Sequence, residues 1–169
     1  MECHPGRLPA RPQALTAKSP RLPRNGIPFA DLPAAVVGAT EAELTLDRVQ
    51  SLIVDGANVV GSRPDGWWRD RAGAARRLWQ QLTAAELPQD EVVLVLEGAA
   101  RQGAPAGRDG RVDTVHAPAS GDDAIAELAR ARVADGREVT VVTADRELRS
   151  RAEAVGARTV GPSWLLDRL

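Results

Sequence analysis

The chain has 169 residues, 43% of them hydrophobic, and a formal net charge of −1, which fits one soluble globular domain. A single cysteine, Cys3, excludes an internal disulfide, and no apolar run approaches the roughly 18 residues that span a bilayer. With four Trp, one Phe and no Tyr, the core has to be built from Val, Leu, Ile and Ala. The amino terminus lacks the apolar stretch of a signal peptide, so a cytoplasmic protein is expected. Net charge does not advertise a polyanion as partner, yet 22 basic residues, all arginine except Lys18, leave room for a local basic surface.

Residues 1–33 contain seven of the twelve prolines, and five basic residues against Glu2 and Asp31. Proline at that density denies the backbone both helix and sheet hydrogen bonding. Residues 1–48 therefore read as a disordered, basic, Pro-rich tail or an overextended start of the reading frame, with a short helix around Glu41–Val49 as an option. Residues 49–169 read as the folded domain.

From Ser51 the pattern becomes alternating strands and helices. The stretch SLIVDGANVVG, Ser51–Gly61, reads as a buried strand that ends at Asp55, followed by a turn holding Gly56 and Asn58. A helix is expected from Trp67 to Glu86, with Ala75, Leu78, Leu82 and Ala85 recurring as one buried stripe. EVVLVL, Glu91–Leu96, is a second buried strand, closed by Glu97 and Gly98. Ala99–Gly110 reads as a flexible loop and Val112–His116 as a shorter third strand.

Ser120 opens a helix to Ala134 with Ile125, Leu128, Ala129 and Val133 inward. Arg137–Val142 is a fourth strand that delivers Asp145. Arg146–Val155 is a helix on Leu148, Ala152 and Val155, Arg158–Val160 a fifth strand, and Pro162–Leu169 a last short helix. Near-continuous apolar strands alternating with helices predict a three-layer α/β/α domain with a mainly parallel central sheet of about five strands.

A parallel sheet gathers the carboxyl ends of its strands on one edge, where ligands of open α/β sheets bind. That edge would collect Asp55, Asp122, Asp123 and Asp145, with Glu97 as a further acid and Glu147 two residues beyond Asp145. Clustered carboxylates repel unless a cation sits among them, and Mg²⁺ takes oxygen ligands and keeps several waters. Each acid also has a structural reading: a turn residue at Asp55, first-turn dipole partners at Asp122 and Asp123, an N-cap at Asp145.

The ordered set VDGANVVG, SGDDAI and VVTADRELRSRA resembles the NYN branch of the PIN-like nuclease superfamily over roughly residues 51–160. The resemblance implies a metal-binding Asp55 with Asn58 nearby, paired acids at Asp122 and Asp123, and a further ligand at Asp145. Some PIN relatives carry a Glu just before the paired acids, where this chain has Ser120 and Gly121. The implied activity is Mg²⁺- or Mn²⁺-assisted phosphodiester hydrolysis, an endoribonuclease acting on RNA, single-stranded or structured, with a homodimer left open. Arg63, Arg69, Arg101 and Arg146 lie nearest the motifs and are the expected phosphate contacts. Trp67 and Trp68 flank the first motif's loop, either as core and interface residues or as a stacking surface for an unpaired base.

Two other readings compete. LVLEG with Asp145–Arg146–Glu147 resembles a Toprim-like phosphotransfer site, and a PIN-like fold can bind RNA or protein without cutting it. His116 stands without Cys or His partners, which is poor support for zinc, and no serine occupies a nucleophile-elbow setting. No phosphate-binding glycine loop or dinucleotide fingerprint is present.

Overall fold

A computed structural model describes residues 48–169; the tail up to residue 47, and with it all but the last two residues of the short helix expected around Glu41–Val49, lies outside the described residues. Six strands form one sheet, in the order β3-β4-β2-β1-β5-β6. They are β1 (Gln50–Asp55), β2 (Glu91–Leu96), β3 (Gly107–Asp109), β4 (Val112–His116), β5 (Glu138–Val142) and β6 (Arg158–Val160). All neighbours pair in parallel except β3 and β4. The helices are α1 (Gly56–Gly61), α2 (Arg71–Ala84), α3 (Gly121–Ala134), α4 (Arg146–Ala154) and α5 (Pro162–Leu166). Two short 3-10 segments, Trp67–Arg69 and Gly98–Gly103, complete the set. The result is a mixed α/β domain with a mostly parallel six-stranded central sheet.

Alternation along the strands splits the core in two. Leu52, Val54, Val92, Leu94 and Leu96 pack with Val59, Ala75, Leu78, Leu82 and Leu165 from α1, α2 and α5. Ile53, Val93, Val95, Val139 and Val141 face the other way, against Ile125 and Ala129 of α3 and Leu148 and Ala152 of α4. Both faces of the central strands are covered, which is why they read as unbroken apolar runs.

The structure departs from the sequence expectation in four places. Gly56 and Asn58 lie in α1, a helical turn capped by Asp55, not in an open turn. The helix expected from Trp67 is divided: Asp70 accepts the amide of Gly73 at 2.7 Å, so α2 begins at Arg71, and it stops at Ala84. The stretch Ala99–Gly110 is largely structured, holding most of a 3-10 segment and all of β3. Its Asp109–Gly110 pair turns β3 back on β4, with Gly110 at φ +57°, the left-handed geometry that a tight hairpin demands. The sheet therefore has six strands where the sequence suggested five.

Chain order fixes where a site can form. From the central β1 the chain moves out through β2 to β4, then returns across to β5 on the other side of β1. The carboxyl ends of β1 and β5 thus border the point where strand order reverses, the crevice that binds ligands in open parallel sheets.

Candidate active site

Register brings the key residues out side by side. Val54 pairs with Val142 and Asp55 with Val95, so Thr143, directly after Val142, and Glu97, two residues after Val95, leave the sheet on the side of Asp55. Asp55 is buried, with 4% exposure. Its Oδ1 accepts the Asn58 amide at 3.0 Å, and its Oδ2 accepts Asn58 Nδ2 at 2.8 Å and Thr143 Oγ1 at 2.9 Å. Three donors on a buried carboxylate compensate its desolvation and fix its orientation. Thr143, itself fully buried, accepts the Asp145 amide at 3.1 Å. The two aspartates are therefore linked through one hydroxyl. Asp145 caps α4 through the Leu148 amide at 2.8 Å, so the structural reading of this residue holds alongside any chemical one.

The paired acids of α3 separate. Ser120 caps the helix, accepting the Asp123 amide at 3.4 Å. Asp122 faces the sheet edge: burial, and then the charges of Asp55, Asp145 and Glu97, hold its carboxyl above the usual aspartate range, with Arg151 opposing. Asp123 points away, its side chain 73% exposed and paired with Arg151 at 2.8 Å. Adjacent residues on a helix sit about 100° apart, so one cleft cannot receive both. Glu97 anchors the cluster from the β2 side, accepting the Gly121 amide at 2.7 Å.

The edge therefore collects Asp55, Asn58, Asp122, Asp145 and Glu97, but not Asp123. Thr143 was the residue that sequence reasoning missed, although it stands two places before Asp145 in the TAD motif. The expected phosphate contacts are dispersed. Arg63 is tied to Gln81 at 2.7 Å, in an open groove formed with the carboxyl-terminal Leu169. Arg69 and Arg146 are exposed, and Arg101 donates to the Gly98 carbonyl at 3.2 Å. Glu147 is exposed on α4, which does not favour the paired-acid element of the Toprim-like alternative.

The donors at this edge are oxygens only, the chemistry of a hard cation. Among the described residues, however, no three His, Cys, Asp or Glu side chains form a group able to hold a metal ion. The cage of Asp55, Asp122, Asp123 and Asp145 expected from the sequence is not assembled, because Asp123 turns to Arg151 and capping bonds orient Asp55 and Asp145. What remains fits an ion held by one or two carboxylates and otherwise by water and substrate oxygens, the habit of Mg²⁺.

The fold and the converging acids define an open α/β architecture with an acidic crevice at its switch point. Among solved structures, a single-site mutant of Rae1 (YacP) from Bacillus subtilis shares the fold: 22% sequence identity, 70% of this chain and 73% of that chain covered, TM-score 0.57. No family model matches the chain, and no curated protein matches it by sequence.

Proposed function

We propose that this chain is a metal-dependent ribonuclease that hydrolyses phosphodiester bonds of single-stranded RNA at the carboxyl edge of its sheet. The observation that carries this reading is the gathering of acids at the switch point: Asp55 and Asp145 joined through Thr143, Glu97 bonded to the Gly121 amide, and Asp122 next to it, its carboxyl raised by burial and by those three charges. A cluster whose charge at Asp122 is opposed only by Arg151 costs stability, and perturbed acids in a cleft are functional-site candidates. The fold shared with Rae1 (YacP), together with the ordered VDGANVVG, SGDDAI and VVTADRELRSRA motifs that resemble the NYN branch, supports nuclease action at that coarse level.

Bound Mg²⁺ or Mn²⁺ would supply a water of lowered pKa and a counter-charge for the reacting phosphate. Asp122 and Asp145 would hold the ion, with Asp55 presenting its remaining lone pairs from a fixed orientation. Asn58 keeps Asp55 in place through its amide and its carboxamide. Arg146, at the first residue of α4, and Arg69 and Arg101 on neighbouring surface segments would meet the flanking phosphates.

A second reading, a PIN-like module that binds RNA or protein without cutting it, is favoured by one observation: no three acids form a ready-made ligand group. A panel of single-stranded RNAs incubated with Mn²⁺, with and without EDTA, decides between them. Cleavage abolished by the chelator is the expected result; binding with no cleavage of any strand selects the second reading.

A further inference from the structure

Beside the acids stands an aromatic wall that the hydrolytic chemistry does not use. Trp67 is half-buried in its 3-10 segment and meets Trp68 edge to face, with centroids 6.2 Å apart and planes at 85°. The Arg71 guanidinium lies 5.5 Å from the centre of the Trp67 ring. Trp68 is 58% exposed, one of two large hydrophobic side chains left open to solvent among the described residues. Next to Trp67 is a cavity of about 240 Å³, walled by Trp67, Arg71, Val60, Ala57, Glu97 and Gly98. That is below the roughly 300–1,000 Å³ of drug-sized pockets and suits one planar ring system.

Two features say what enters. Glu97 is shared: it lines this cavity and accepts the amide of Gly121, the residue before Asp122, at 2.7 Å, so the cavity borders the acidic crevice. Its walls also combine an indole ring with a guanidinium, surfaces that stack on flat π-systems and attract phosphate. A phosphodiester placed at the acids would carry its neighbouring base into this opening.

We propose that the cavity is a nucleobase subsite, in which one unpaired base of the RNA strand stacks on Trp67 beside Arg71. The assignment rests on the ribonuclease reading for the identity of the strand. It adds a reason for single-strand preference, since a base stacked inside a duplex cannot enter the cavity without being unpaired and swung out.

The test is affinity for a labelled single-stranded RNA, compared with a strand of equal length whose bases are all replaced by abasic sites, in Ca²⁺ buffer. Stacking on one aromatic side chain predicts binding of the abasic strand weaker by about 5- to 150-fold. Trp67→Ala should remove most of that difference and Trp67→Phe should restore part of it. Because Trp67 also packs against the core, the comparison of strands on the unaltered protein stands even if the alanine variant fails to fold. Equal affinities for the two strands, or no binding of either, overturns the subsite. Cleavage of the intact strand is then scored with Mn²⁺. Metal-dependent cleavage with equal affinities removes the subsite and leaves the nuclease; base-dependent affinity without cleavage does the reverse.

Discussion

At the scale of single residues, Asp122 and Thr143 carry the most information. The Asp122 carboxyl binds its proton more tightly in the folded protein than in the unfolded chain. Its stabilising contribution is therefore present at low pH and is lost as pH rises through the elevated folded value. Asp122→Asn should stabilise the cation-free protein above that value and lose its advantage in acid, as read by urea denaturation across pH. Adding Mg²⁺ or Mn²⁺ should raise the melting temperature of the wild type more than that of the variant. Thr143→Val keeps the shape but strips a donor from buried Asp55 and an acceptor from the Asp145 amide. A loss of about 1–3 kcal/mol is expected, measured by denaturant titration, with a fall in cleavage as the two aspartates lose their common tether. The sequence allowed Asp122 and Asp123 equal standing. Only the helix phase, once α3 packs, sends one to the crevice and the other to Arg151.

At the scale of elements, α1 decides how Asp55 is presented. A Cβ added to Gly56 would lie 2.7 Å from the Val95 carbonyl oxygen and 2.8 Å from Leu96 Cδ2, so β2 leaves no room for one. Gly56→Ala should cost about 1–3 kcal/mol and disturb the Asp55 cap, visible as a lower melting temperature with a parallel loss of cleavage. The strands and the long helices were legible because their periods are strong. Helix α1 was not, since six residues with two glycines and an Asp-Gly start resemble a turn. The β3–β4 hairpin carried a recognisable signal in Asp109–Gly110, but Gly- and Pro-rich flanks hid a three-residue strand.

At the scale of the whole molecule, the two edges of the sheet treat charge in opposite ways. At the amino edge, buried Glu91 meets Arg132 Nε at 3.0 Å, Arg137 Nη1 at 2.6 Å, Arg108 Nη2 at 3.0 Å and Ser51 Oγ at 3.0 Å. Burial alone would raise its pKa, but the hydrogen bond and charge of Arg132, with Ser51 and Arg137, hold it below the ordinary glutamate range. That contribution is present above the unfolded value and is lost as acid carries the pH down through the lowered folded value. Glu91→Gln should therefore destabilise the fold by about 3 kcal/mol, while cleavage per folded molecule stays unchanged. The carboxyl edge has no such pairing: against Asp55, Glu97, Asp122 and Asp145, only Arg151 opposes the charge at Asp122. A fold that neutralises one edge and leaves the other acidic supports the proposed cation site at the second. The sequence indicated that edge through strand order and three motifs. It did not show that the acids would converge without forming a finished metal cage, because capping bonds and rotamers settle that.

Asp145→Asn gives the most direct test, since asparagine is as good an N-cap as aspartate and α4 should persist. At Asp55 the same change would put an amide donor among the donors of Asn58 and Thr143. The decisive measurement is the Mn²⁺-dependent rate of single-stranded RNA cleavage by purified, folded Asp145→Asn relative to wild type. A fall on the order of a hundredfold or more is predicted; an undiminished rate in the variant would contradict the assignment of this edge as the catalytic centre.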